Sequence, residues 1–351
     1  MTETIEYGWF LPTAGDAATK LNDPAFAVPP SMELLERVTI AADKAGFAYM
    51  LIPTAGPCWE AWISGAMLAA KSKNIKMLIA LRPGYIRPAQ LAKMVGAFDQ
   101  LSDGRVLINL IAGGSSAETA REGLTLGKEE RYAMMQEEVE ILKGVWTNEE
   151  PFTYKGKYHS VTDLTVSPQP KQQPYPAFYL GGGSETALNI SAQHSNVHLF
   201  WGDTPANIEK QIANIRQKAA AHGRELEIGF GMRLQIVCRE KESDAWAAAK
   251  GLITAQNVEG FDRALWFEDS TADARMKGLA KKDDLLLAPH LWAGITKVRP
   301  GAGVAVVGNP QQVADTLKQF IEVGCRSFCL SGYPHDEEAT RFGELVRPLL
   351  P

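Results

Sequence analysis

Eight short apolar runs alternate with longer helix-like segments along almost the whole chain, and this alternation restricts the fold more than any single motif does. The runs are Tyr7 to Leu11, Tyr49 to Ile52, Met77 to Leu81, Val106 to Ile111, Phe178 to Leu180, His198 to Phe200, Gly229 to Val237 and Ser327 to Ser331. Each is rich in β-branched or bulky apolar side chains, as strands covered on both faces are. Between them lie helix candidates at Met32 to Ala45, Pro88 to Leu101, Glu130 to Trp146, Pro205 to His222, Asp244 to Ile253 and Pro310 to Val323. Ser31, Thr204 and Ser243 stand where helix caps would. Repeated β-α units with eight strands predict an α/β chain folded as a (β/α)8 TIM barrel, whose chemistry sits at the C-terminal ends of the strands. A single domain over residues 1–351 accommodates it, with insertions near 147–176 and 255–303, where the connections exceed ordinary barrel loops.

Composition removes several classes of function. With 45% hydrophobic and 22% charged residues, the chain can bury a large core. The net charge of -5, without a Lys/Arg run or an aromatic-interleaved basic stripe, argues against a nucleic-acid partner. The start, with Thr2, Glu3, Thr4 and Glu6, lacks the basic and apolar regions of a signal peptide. No apolar run approaches membrane-spanning length, so a cytoplasmic protein with no membrane partner is expected. Cys58, Cys238, Cys325 and Cys329 are scattered; the last two stand four apart, but no second pair completes a zinc site, so free thiols and no metal are expected.

After the fifth run comes Gly181-Gly182-Gly183-Ser184, leading into a helix. Bare backbone N–H groups at a helix N-terminus are a seat for a phosphate, and a plain glycine turn is the alternative. Phosphate sites in barrels commonly follow the seventh and eighth strands, so this position points to a family-specific site. No G-x-G-x-x-G follows the first run, and Gly301-Ala302-Gly303 precedes a short apolar run without the helix a dinucleotide fingerprint requires. Walker A, H-E-x-x-H, G-x-S-x-G and kinase signatures are absent, so hydrolase and phosphotransferase templates find no hold.

Phe10-Leu11-Pro12-Thr13, Leu51-Ile52-Pro53-Thr54, Ala80-Leu81-Arg82-Pro83 and Ser331-Gly332-Tyr333-Pro334-His335 resemble the strand-end motifs of FMNH2-dependent alkanesulfonate monooxygenases, in the bacterial luciferase-like superfamily. Asp99-Gln100-Leu101-Ser102, Glu130-Arg131-Tyr132, Gln173-Pro174-Tyr175-Pro176, Trp201-Gly202 and Leu291-Trp292-Ala293-Gly294 extend the resemblance over nearly the whole chain. It implies a luciferase-like barrel, a homodimer or homotetramer, and reduced FMN delivered by a separate NAD(P)H-dependent flavin reductase. With O2 as cosubstrate, a small organosulfur compound would be oxygenated and desulfonated to sulfite and an aldehyde.

A sulfonate is a hard anion, and arginine, always charged and fork-shaped, suits it best. By resemblance Arg233 and Arg299 are active-site arginines. Arg233, flanked by Met232 and Leu234 in an apolar strand, demands a buried partner, whereas Arg299 could be a solvated loop charge. Tyr333 and His335 follow the eighth run, where a phenol and an imidazole can donate or shuttle a proton; packing beneath the barrel rim is the alternative. Cys58 stands at the family's active-site cysteine, though a cysteine there can serve as a small hydrophobe. For the flavin, the resemblance implicates Gly182, Gly183 and Ser184 at the phosphate, Tyr132 beside them, and Asn109 and Trp201 toward the ring system. Trp62, Arg82 and Gln235 are expected on the substrate side; for Trp62 and Trp201 an ordinary core role is the alternative.

Two positions depart from the family pattern. Ala14 and Gln235 stand where alkanesulfonate monooxygenases place histidines, and Gln235 cannot exchange a proton at neutral pH. The substrate therefore stays open to a sulfone, an amine or another non-sulfonate compound, and a non-catalytic flavin-binding barrel is the contrasting class. The connection from Ala255 to Gly303, with Lys281-Lys282-Asp283-Asp284 before Leu285-Leu286-Leu287, reads as a lid that keeps water from the site.

Overall fold

A computed structural model of the protein describes residues 4–259, 268–281 and 285–351. All eight apolar runs are strands: β1 (Glu6–Phe10), β2 (Tyr49–Ile52), β3 (Lys76–Leu81), β4 (Val106–Leu110), β5 (Phe178–Gly181), β6 (Val197–Trp201), β7 (Gly229–Cys238) and β8 (Ser327–Ser331). Each lies parallel to the next in chain order, and β8 pairs with β1, so the sheet closes into a barrel with no free edge among these strands.

Strand side chains alternate in direction, and this sorts the apolar residues into two layers. Tyr49, Leu51, Leu78, Leu107, Tyr179, Leu199 and Cys329 fill the barrel interior. Met50, Ile52, Phe230, Met232 and Leu234 face the surrounding helices. Gly8 is required by this packing, because a Cβ there would lie 2.2 Å from the Tyr49 ring. The Tyr49 hydroxyl in turn meets Ser327 Oγ at 2.9 Å across the interior.

The outer ring includes helices Met32–Lys44, Pro88–Leu101, Lys128–Thr147, Glu185–His194, Pro205–Ala220 and Pro310–Glu322. Ser31 caps the first, its Oγ accepting the Leu34 N–H at 3.1 Å, a bond worth about 1 kcal/mol. Thr204 occupies an N-cap without a side-chain bond. Ser243 is not a cap: the helix begins at Glu242 with Lys241 as N-cap, which places Ser243 in the first turn.

Both expected insertions carry structure of their own. The first forms an antiparallel hairpin, Phe152–Lys155 with Ser160–Leu164. Glu137 pins its turn to the long helix by accepting the N–H groups of Lys157, Tyr158 and His159 at 2.7, 2.9 and 2.8 Å. The second insertion contains helices Ala255–Glu259 and Thr271–Ala280 and strands Leu286–Ala288 and Leu291–Trp292. Those strands continue onto Ala305–Gly308, which runs parallel to Gln235–Cys238, the upper part of β7. The apolar run after Gly301-Ala302-Gly303 is thus a strand, and the expected helix, Pro310–Glu322, follows it. The glycines still precede that strand, so no phosphate-binding strand-to-helix turn arises from them. Part of the expected lid, including Lys282, Asp283 and Asp284, lies outside the described residues. Among the described residues no helix is long and apolar enough to cross a membrane.

Candidate active site

The C-terminal ends of the barrel strands surround a cavity of about 730 Å³, within the range of small-molecule and cofactor sites. Cys58, Asn109, Tyr132, Gly182, Gly183, Ser184, Trp201, Arg233, Arg299, Tyr333 and His335 all line it, although they come from strands and loops spread over the chain. Ala14 lines it as well.

Arg233 belongs to the set of β7 side chains directed inward, in register with Cys329 of β8 and Trp201 of β6. It is 5% exposed. Its guanidinium donates to the carbonyls of Leu234 at 2.9 Å and Cys329 at 3.4 Å and to Ser331 Oγ at 2.9 Å, all neutral acceptors. Among the described residues no carboxylate forms an ion pair with it. Burial, and less strongly the neighbouring Arg299, push its pKa down, yet a guanidinium stays charged. Arg299 reaches the same place from the loop after the turn Gly294–Lys297, and the two guanidinium carbons stand 4.7 and 5.3 Å from the Phe10 ring centroid. Two guanidinium groups thus share one aromatic face at this end of the cavity.

Across the cavity, β5 ends at Gly181, and Ser184 N-caps the helix Glu185–His194, its Oγ accepting the Ala187 N–H at 3.3 Å. Gly182 adopts φ +142°, and a Cβ there would lie 3.0 Å from Ala187 Cβ and 3.3 Å from Tyr132 Oη. Backbone amides, a helix N-terminus and the Tyr132 hydroxyl therefore converge on a cradle that a side chain would fill. Lys128 lines the same cavity. This donor set suits a phosphate, and the residues fit the phosphate end of FMN.

His335 begins a short helix after β8 and is 1% exposed. Its Nδ1 lies 2.7 Å from Asp16 Oδ1, its backbone N–H donates to Asp16 Oδ2 at 2.8 Å, and its carbonyl accepts the Trp9 indole N–H at 3.0 Å. Burial raises the Asp16 pKa, but the His335 imidazole and the N–H groups of His335 and Ala17 outweigh it, leaving the carboxyl below its ordinary value. The Tyr333 ring packs edge-on against His335 at 4.9 Å. Burial raises the Tyr333 pKa against the opposing pull of Arg299 and Arg233, so at neutral pH Tyr333 is a phenol and a donor. Burial likewise raises Cys58 above the lowering effects of Thr13, the Ala55 backbone and Arg82, so it is a thiol rather than a thiolate.

Three expected substrate residues stand apart from the cavity lining. Trp62 is packed in the core beneath its helix, edge-on to Phe98 at 6.4 Å. Arg82 is held by Glu118 at 2.9 Å and Glu122 at 2.5 Å, which occupies the fork that would grip an anion. Gln235 is fully buried, donating to the Ala302 carbonyl at 3.1 Å and accepting from Ser331 Oγ at 2.5 Å. It fixes the loop behind Arg299 and so touches the site only through its neighbours.

Two residues with no individual sequence signal shape the site. Asp16 is a lone carboxylate after β1, paired with a histidine 319 positions away. Arg131, fully buried, donates to the carbonyls of Ala112, Gly113 and Leu126 and to Ser116 Oγ, and forms an ion pair with Asp269 at 3.3 Å. It thereby ties the wall after β4 to the segment Asp269–Ala272, which closes another side of the cavity.

A sequence model of luciferase-like monooxygenases matches residues 5–327. The chain belongs to the luciferase-like monooxygenase family. This family is broader than the alkanesulfonate monooxygenases that the strand-end motifs resemble. Long-chain alkane monooxygenase LadA is similar in structure, with 17% identity, a TM-score of 0.77, and coverage of 99% of this chain and 91% of that one. EDTA monooxygenase EmoA from Chelativorans sp. BNC1 gives 17% identity and a TM-score of 0.77 over 99% and 93% of the two chains. An F420-dependent secondary alcohol dehydrogenase, solved with an F420-acetone adduct, gives 15% and 0.69 over 99% of each. Such identities show that these luciferase-like barrels share a fold.

Proposed function

We propose that the protein is the oxygenase of a two-component, reduced-FMN-dependent monooxygenase that desulfonates an organosulfonate. The observation that carries this reading is Arg233, a buried cation with only neutral acceptors, facing a cavity beside Arg299. A buried charge without a counter-ion is costly, and an anionic substrate supplies the missing one. A sulfonate, with three acceptor oxygens, matches two forked donors.

Reduced FMN, delivered by a separate flavin reductase, would supply two electrons and activate O2. In the overall reaction the carbon–sulfur bond breaks, one oxygen atom enters the aldehyde and the other leaves as water. Gly182, Gly183, Ser184 and Tyr132 would hold the phosphate, with Asn109 and Trp201 toward the ring. Arg233 and Arg299 would orient the sulfonate, Tyr333 would donate a hydrogen bond to developing negative charge, and Asp269–Ala272 would keep water out. The small side chain of Ala14 on the cavity wall favours a second reading, the same oxygenation of a larger non-sulfonate substrate such as a sulfone or an amine.

Incubating the protein with reduced FMN, O2 and a panel of alkyl and aryl sulfonates tests the first reading. Sulfite should appear in proportion to substrate consumed. If every sulfonate is recovered intact while the flavin is simply oxidised, the desulfonation reading fails.

A further inference from the structure

His335 has two ring nitrogens in different circumstances. Nδ1 meets Asp16 Oδ1 at 2.7 Å, while Nε2, on the other edge of the ring, is buried with no hydrogen-bond partner among the described residues. Asp16 reaches His335 twice, because its second oxygen accepts the His335 backbone N–H at 2.8 Å. That backbone group can only donate. The carboxylate itself is set in place by the Ala17 N–H, which donates to Oδ1 at 2.7 Å. Asp16 and His335 both line the cavity, and the aromatic rings of Trp9, Phe10 and Tyr333 pack against the imidazole. Asp336, next in the chain, is occupied by Arg37 at 2.5 Å.

We propose that Asp16 is a positioning residue: it holds His335 in the Nδ1–H tautomer and thereby keeps the Nε2 lone pair available as a proton acceptor at the active site. An ionised carboxylate accepts from Nδ1–H and cannot donate to it, so the proton of the neutral ring stays on Nδ1. The backbone contact fixes the carboxylate where it meets the Nδ1 edge of the ring. The catalytic consequence, a proton taken up by His335 while Tyr333 donates, rests on the monooxygenase reading above. The tautomer itself does not depend on that reading.

Asp16→Asn tests the idea sharply. The amide has one oxygen where the carboxylate offers two, so its NH2 must face a donor on one side or the other, and Nδ1–H loses its ionised acceptor. Imidazole 15N spectra of the full-length protein, recorded without flavin or substrate and assigned with a His335→Gln variant, should show Nδ1 protonated and Nε2 bare at a pH where the ring is neutral. In Asp16→Asn and in Asp16→Ala the single tautomer should give way to a mixture. With a sulfonate that is turned over, kcat of Asp16→Ala should fall by about 10-fold, with KM and flavin affinity within about twofold, as expected for a proton acceptor no longer held in one tautomer. A wild-type spectrum with Nε2 protonated overturns the proposal, as does a folded Asp16→Ala variant with an unchanged tautomer. Should Asp16→Asn fail to fold, the wild-type and Asp16→Ala spectra still decide, since a merely structural Asp16 would leave the tautomer unmoved.

Discussion

Arg233 shows how one residue can be legible in a sequence. A charge between Met232 and Leu234 in an apolar strand is an anomaly that demands a buried partner. Asp16 offers no comparable anomaly, because a single Asp after a strand is ordinary and only the closure of the barrel brings His335 to it. Arg82 and Trp62 stand at strand and helix ends as suggestive as those of the true lining residues. Their partners Glu118, Glu122 and Phe98, which withdraw them from the cavity, come from other elements. If Arg233 exists to meet an anion, replacing it with an apolar side chain of similar length should separate binding from stability. For Arg233→Met, the thermal midpoint should hold or rise, since removing an uncompensated buried charge is often stabilising. KM for a sulfonate should rise by about 100-fold, equivalent to about 2.7 kcal/mol, with flavin affinity unchanged. A normal KM in steady-state assays would place the anion elsewhere.

At the scale of elements, the glycine turn after β5, the proposed phosphate seat, was visible in the sequence because such a turn depends on local backbone freedom. The positive φ of Gly182 and the 3.0 Å approach to Ala187 give that freedom a physical need. Gly182→Ala should raise the FMN dissociation constant by about tenfold, roughly 1.4 kcal/mol, while circular dichroism stays unchanged. Unaltered FMN affinity, measured by fluorescence quenching, would mean that the phosphate does not sit there. The pieces added to the barrel escaped the sequence for the opposite reason. Strands of two to four residues, such as Leu286–Ala288, Leu291–Trp292 and Ala305–Gly308, show no period of their own. They exist because β7 runs beyond the barrel and offers its upper backbone for pairing.

For the whole molecule, the barrel was legible because a closed parallel sheet buries every strand on both faces and therefore writes eight apolar runs into the sequence. The cavity at its top was legible only in outline. Which loop residues turn toward it is decided by contacts such as those of Arg131 and Gln235, which bind one loop to another across the barrel mouth. The two ends of the cavity are chemically unlike, a glycine cradle at one and two guanidinium groups at the other, and the proposed chemistry requires both to be filled at once. A crystal structure of the protein soaked with FMN and an alkanesulfonate tests this directly. The account predicts the FMN phosphate at Gly182–Ser184 and sulfonate oxygens within hydrogen-bond distance of both Arg233 and Arg299. A sulfonate bound away from these arginines, or FMN with its phosphate turned toward them, would contradict it.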